Sequence, residues 1–138
     1  MAEQNFANHR QRAPLWLVAA LFALTGFCVM ALAAIQQPGW FTFGLLSMAT
    51  SLMCAVVMAR SYALRVQNRI IRLEMQVRLA TLGRGADLAT LEMPQVIALR
   101  FASDAELPAL IDRALAERLT SDQIKRAIGS WQGDYLRV

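Results

Sequence analysis

Two stretches decide the fold: Leu15–Ile35, LWLVAALFALTGFCVMALAAI, and Phe41–Ala59, FTFGLLSMATSLMCAVVMA. Neither contains a charged residue over its 21 and 19 positions. A bilayer core of ~30 Å is crossed by about 20 helical residues at ~1.5 Å each, so both stretches are long enough to span it. In a soluble protein such runs would be core helices sheathed on every side. A chain of 138 residues has too little other structure to sheathe two of them. The expected class is all-α, built on a transmembrane helical hairpin over residues 15–59, with spans 15–35 and 41–59 and a turn over 36–40.

Working outward, the connector Gln36-Gln37-Pro38-Gly39 is uncharged and holds two helix breakers, which predicts an antiparallel hairpin. Trp16 opens the first span and Trp40 sits at the turn, so both indoles are expected at headgroup level. Arg10 and Arg12 precede the first span, and Arg60, Arg65, Arg69, Arg72 and Arg78 follow the second, while the connector has no basic residue. Basic residues beside short spans stay cytoplasmic, so both termini are expected inside. Ala31-Leu32-Ala33 also fits a signal-peptidase site. The preceding apolar run is longer than the about 7–15 residues of a signal peptide, which favours an uncleaved span.

Composition agrees. Apolar residues make up 57% of the chain and charged ones 17%, with a mean hydropathy of +0.37. These values exclude a disordered chain and a collagen-like repeat, and two cysteines exclude a disulfide scaffold.

No Gly or Pro interrupts residues 60–82, so the second span is expected to continue as a cytoplasmic helical extension. Ala59, Ala63, Val66, Ile70, Leu73, Val77 and Ala80 alternate at spacings of four and three, the seam of a coiled coil. Upstream, Ser47, Ser51, Ala55 and Ala59 form a small-residue ridge of the kind that lets helices approach closely in lipid. Two occupants of these stripes are open. Within the chain, the ridge would meet the first span at Ala19, Ala23 and Gly26 and the seam would meet the C-terminal helices; between chains, both would serve self-association. Arg65, Arg69 and Arg72 lie on another face, with Arg60 at the membrane edge, and are candidate contacts for anionic headgroups as well as topology signals.

Gly83-Arg84-Gly85 ends this helix, leaving 83–138 as a small cytoplasmic helical domain behind the 1–14 arm, the 15–59 hairpin and the 60–82 extension. A short helix is expected over Gln95–Phe101, near Pro94. Capping boxes at Ser103–Glu106 and Thr120–Gln123 predict two more. The first carries Leu107, Leu110, Ile111, Ala114 and Leu115, and the second Ile124, Ala127, Ile128 and Trp131, with an Asp122–Arg126 pair beside them. So few residues make a marginal core, which needs the membrane-proximal helix or a partner to lean on. Two capped helices in succession suggest a helix-turn-helix, but charge opposes it. Residues 83–138 hold seven basic and eight acidic side chains, whereas 1–82 hold seven and two. A nucleic-acid partner is therefore not expected.

Reactive chemistry is sparse. His9 is the single histidine, and no phosphate loop, metal-ligand cluster or nucleophile motif is present. No ionisable residue lies within either span. Cys28 and Cys54 fall at different membrane depths, so no disulfide is expected. No catalytic residue, metal, cofactor or small-molecule substrate is assigned. The expected partners are the lipid bilayer and either another membrane protein or a second copy in a homo-oligomer.

Four blocks carry a resemblance: Gln4-Asn5-Phe6-x-Asn8-His9 followed by Pro14, Ala59-Arg60-Ser61-Tyr62-Ala63-Leu64-x-Val66-Gln67, Ile97-Ala98-Leu99-Arg100-Phe101-Ala102-Ser103-Asp104-x-Glu106-Leu107-Pro108, and Ile124-Lys125-x-Ala127-Ile128-x-x-Trp131-x-x-Asp134-Tyr135-x-Arg137-Val138. With these the chain resembles an uncharacterised family of small bacterial two-span membrane proteins. The resemblance implies a bacterial inner-membrane protein and brings no catalytic residues with it. The functional expectation is a non-enzymatic scaffold or accessory subunit. The alternative is a membrane-tethered regulator whose C-terminal helices bind a signalling protein or, less favoured by charge, nucleic acid.

Overall fold

The computed structural model describes residues 14–133. The N-terminal arm with His9, Arg10 and Arg12, and the terminal Asp134, Tyr135, Arg137 and Val138, lie outside the described residues. The protein is all-helical: α1 spans Pro14–Gln36, α2 Trp40–Thr81, α3 Met93–Leu99, α4 Leu107–Ala116 and α5 Ser121–Ala127, with a 3-10 turn at Gly85–Ala89. Among the described residues there is no strand, only an isolated antiparallel bridge between Ala102 and Trp131. The chain divides between residues 65 and 66 into two compact units.

In the first unit, α1 and the first part of α2 form an antiparallel hairpin. Pro38 and Gly39 break the helix. The Phe43 amide then donates to the Gly39 carbonyl at 3.0 Å as α2 begins, and Thr42 Oγ1 donates to the carbonyls of Gln37 and Gly39, each at 2.9 Å. At the far end Trp16 Nε1 donates to the Val56 carbonyl at 3.3 Å, and the Arg60 guanidinium lies 5.8 Å from the Trp16 ring centre. Ala23 and Ala34 of α1 are buried. The half-buried side of α2 is Leu45, Ala49, Met53, Val56 and Arg60. Both helices are long and apolar enough to cross a membrane.

The second unit takes its wall from α2. Ile71, Met75 and Leu79 recur every four residues and are 3%, 2% and 0% exposed, in one cluster with Leu88, Val96, Leu99, Phe101, Leu107, Ile111 and Ile124. The helix ends where Gly83 takes φ +71°. The Gly83 amide donates to the Ala80 carbonyl at 3.1 Å and the Arg84 amide to the Leu79 carbonyl at 2.8 Å, a left-handed cap that glycine enters without strain. Arg118 makes the same turn after α4 at φ 50°, a conformation unfavourable to a residue with a Cβ.

The short helices depart from expectation at three places. The predicted helix near Pro94 runs from Met93 to Leu99, two residues earlier than expected. There the Gln95 side chain accepts from the Glu92 amide at 3.0 Å and donates to the Leu119 carbonyl at 3.0 Å. The Ser103–Glu106 stretch is a turn, and α4 starts at Leu107 with Glu106 as its cap. Glu106 keeps the local half of the expected box and adds longer-range bonds. Its carboxylate accepts from the Ser103 amide at 3.3 Å and from the amides of Gly129 and Ser130 at 3.1 and 3.2 Å, pinning the loop after α5 to the start of α4. Trp131 is not on α5, which ends at Ala127; it stacks on Phe101 with ring centres 5.0 Å apart. The Thr120 box forms as expected, with Gln123 Oε1 accepting from the Thr120 amide at 2.8 Å.

Leu79 is the deepest α2 side chain in the core. Leu79→Ala should destabilise the second unit by about 3 kcal/mol. Denaturant unfolding followed by Trp131 fluorescence, with Trp16 and Trp40 replaced by Phe, measures it.

Candidate interaction surface on the long helix

A helix turning about 100° per residue sorts residues 66–80 into faces. Ile71, Met75 and Leu79 make the buried face. Val66, Ile70, Leu73 and Val77 centre on a direction about 180° away from it, and they are 55%, 50%, 60% and 66% exposed. Of the two occupants left open for the seam, the chain's own C-terminal helices do not cover these four residues, which corrects that alternative. The core takes the other apolar stripe: Ile71, Met75 and Leu79 lie in one buried cluster with Phe101, Leu107 and Ile111. The seam faces away from that cluster as an unpartnered apolar strip.

The ridge behaves likewise. Ser47, Ser51, Ala55 and Ala59 are all exposed, and Ser51 Oγ donates within the helix to the Ser47 carbonyl at 3.0 Å. Of the three residues expected opposite them, Ala23 is buried while Ala19 and Gly26 are exposed. The hairpin instead packs through the larger Leu45, Met53 and Val56 side, so the ridge too is left uncovered within the chain.

Of the headgroup candidates, Arg60 is half-buried over Trp16, while Arg65, Arg69 and Arg72 are exposed. Arg65 lies 6.0 Å from the Tyr62 ring centre. Trp40 is fully open at the hairpin turn, edge-on to Phe41. Cys28 and Cys54 are free thiols. Among the described residues no group of three or more His, Cys, Asp or Glu side chains stands close enough to hold a metal.

Two arginines, Arg78 read in the sequence only as a topology signal and Arg84 only as part of the helix-ending Gly83-Arg84-Gly85, fix the helix to its domain. Arg78 is largely shielded, and its guanidinium donates to the Arg100 carbonyl at 3.1 Å, to the Ala102 carbonyl and to Asp104. Arg84 bridges Asp87, three residues on, and Asp112 of α4. Their signal in the sequence was position alone: a basic residue in the last turn of a helix and another just past it, where unpaired carbonyls collect. Asp87 is near Arg84 in the chain, but Asp104 and Asp112 are 26 and 28 residues from the arginines they meet.

A family model described as a family of unknown function, DUF6526, matches residues 1–138. The chain belongs to this family. No curated protein and no solved structure matches it. The match covers the residues of both units.

A groove of about 600 Å³ lies in the second unit, lined by Glu92, Gln95, Leu115, Arg118 and Thr120 among others. Its walls mix polar and apolar groups, and the strained Arg118 stands at its rim.

The Arg84 bridge has a defined pH signature. The guanidinium hydrogen bond holds the Asp112 carboxyl below the usual carboxylate range, and Arg84 is raised by Asp112 and then Asp87. A depressed carboxyl adds stability above its unfolded pKa of about 3.9 and loses it as the pH falls through the folded value. Asp112→Asn should therefore be less stable than the parent at pH 7, and the gap should close progressively below about pH 4. Thermal melts of both proteins across that range measure it.

Proposed function

We propose that this protein is a non-enzymatic integral protein of the bacterial inner membrane, acting as a scaffold or accessory subunit. In this reading α1 and the first part of α2 are the anchor. The continuation of α2 and the helices packed on it form a cytoplasmic docking element, with both termini on the cytoplasmic side. The observation that carries the reading is the exposure of α2. Its apolar window over the second span has no buried residue, and Val66, Ile70, Leu73 and Val77 follow on the same helix with at least half their surface open.

Exposed apolar area on this scale calls for a cover. Around residues 41–59 the cover fits lipid, since the stretch is uncharged and about one bilayer long. Around Val66–Val77 it fits protein, since Arg65, Arg69, Arg72 and Glu74 interleave with the apolar residues. The orientation rests on seven basic residues flanking the spans and none in the connector. Trp16 beneath Arg60 is an amphipathic pair suited to the headgroup region, and Arg65, Arg69 and Arg72 would add about 1 kcal/mol each near an anionic surface.

Labelling tests this in a Cys28→Ala, Cys54→Ala background. Gln37→Cys should react with a membrane-impermeant maleimide in intact spheroplasts, and Ala116→Cys only after lysis, with the protein resisting alkaline extraction. Labelling in the reverse order would overturn the orientation, and release by alkali would overturn the anchor.

A further inference from the structure

We propose that the exposed 66–80 face of α2 is the seam of a parallel, in-register homodimer. The proposal rests on the membrane anchor above, which inserts two copies with their cytoplasmic helices pointing the same way. The heptad spacing puts Ile70 and Val77 at a positions and Val66, Leu73 and Ala80 at d positions. β-branched residues at a with Leu at a central d favour two parallel strands over three or four. Every one of the four large side chains on this stripe is at least half exposed, and the stripe points away from the core-facing residues Ile71, Met75 and Leu79. A partner helix laid along it therefore meets no part of the packed cluster that holds Ile71 and Leu79.

Charge selects the partner and its direction. Beside the seam, the g positions are Tyr62, Arg69 and Gln76 and the e positions are Gln67, Glu74 and Thr81. In a parallel, in-register pair each g residue faces the e residue five positions later in the other chain. That sets Arg69 of each copy against Glu74 of the other, an opposite-charge pair made twice by symmetry. The remaining e/g pairs are uncharged. An antiparallel pair sets g against g and e against e, and the g set has no acid and the e set no base, so both charges go unmatched. Neither Arg69 nor Glu74 is in an ion pair within the described residues. Two heptads of seam are short for a free coiled coil in water, but confinement to one membrane raises the effective concentration of parallel helices.

The test uses the full-length protein in phospholipid vesicles. Parent protein should be dimeric by single-molecule photobleaching of a dye-labelled sample at moderate density and should dissociate on lipid dilution. Arg69→Glu or Glu74→Arg alone should weaken the dimer roughly fivefold, the effect of two pairs turned from attraction to repulsion. The double exchange R69E/E74R should restore it. In the Cys28→Ala, Cys54→Ala background, Ile70→Cys should form a disulfide with its own copy and Arg72→Cys should not. A monomer at every density, single reversals without effect, a double exchange that fails to restore, or equal cross-linking at positions 70 and 72 would overturn the dimer. A monomer that still resists alkali refutes the dimer and leaves the anchor standing, whereas a protein released by alkali refutes the anchor itself.

Discussion

The C-terminal helices are too short to enclose a core by themselves, and burial of Ile71, Met75 and Leu79 supplies what they lack. Helices α3 and α5 have seven residues each and α4 has ten, lengths at which an isolated helix is unstable in water. One face of a much longer helix gives them a preformed wall. Arg78 then ties that wall to the loop after α3 through two backbone carbonyls and Asp104, and Arg84 ties its end to α4. Glu106 closes the other side by holding the amides of Gly129 and Ser130.

Committing one face of α2 to the core decides what remains for function. A helix has only so much circumference. With Ile71, Met75 and Leu79 facing in, the heptad residues face out and the arginines of the 65–72 stretch point sideways. The result is an exposed apolar strip whose presentation does not require the packed cluster to open. A strip held on a helix that is itself locked by packing and ion pairs loses little further freedom when a partner binds, which favours recognition by shape and charge over induced folding.

Much of this architecture was legible because it follows from length and periodicity. Uncharged runs of 21 and 19 residues, the Pro38-Gly39 break, and Gly83 at a left-handed cap each have one economical reading. The face assignment on α2 was not legible in the same way. Residues 64–82 carry two apolar stripes on opposite sides, and periodicity counts both without saying which one the core takes. The choice is made by tertiary fit with Phe101, Leu107 and Ile111, which lie 20 or more residues away in the chain. The same applies to Glu106, read locally as half of a capping box, which keeps the bond from the Ser103 amide but also holds Gly129 and Ser130 over long range, and to Trp131, whose spacing from Ile124 and Ile128 imitated a helical face although the chain turns extended at Ile128. Arg78 and Arg84 had positional signals only, because Asp104 and Asp112, which they meet, are distant in the chain, although Arg84 also reaches the nearby Asp87.

A single-cysteine scan of residues 66–80 in the full-length, vesicle-embedded protein, otherwise free of cysteine, reads the face assignment most directly. With a water-soluble maleimide at high dilution, positions 71, 75 and 79 should stay protected until denaturant is added, while 66, 70, 73 and 77 react readily. A protected stripe at 66, 70, 73 and 77 in the dilute protein, with 71, 75 and 79 reactive, would contradict the account.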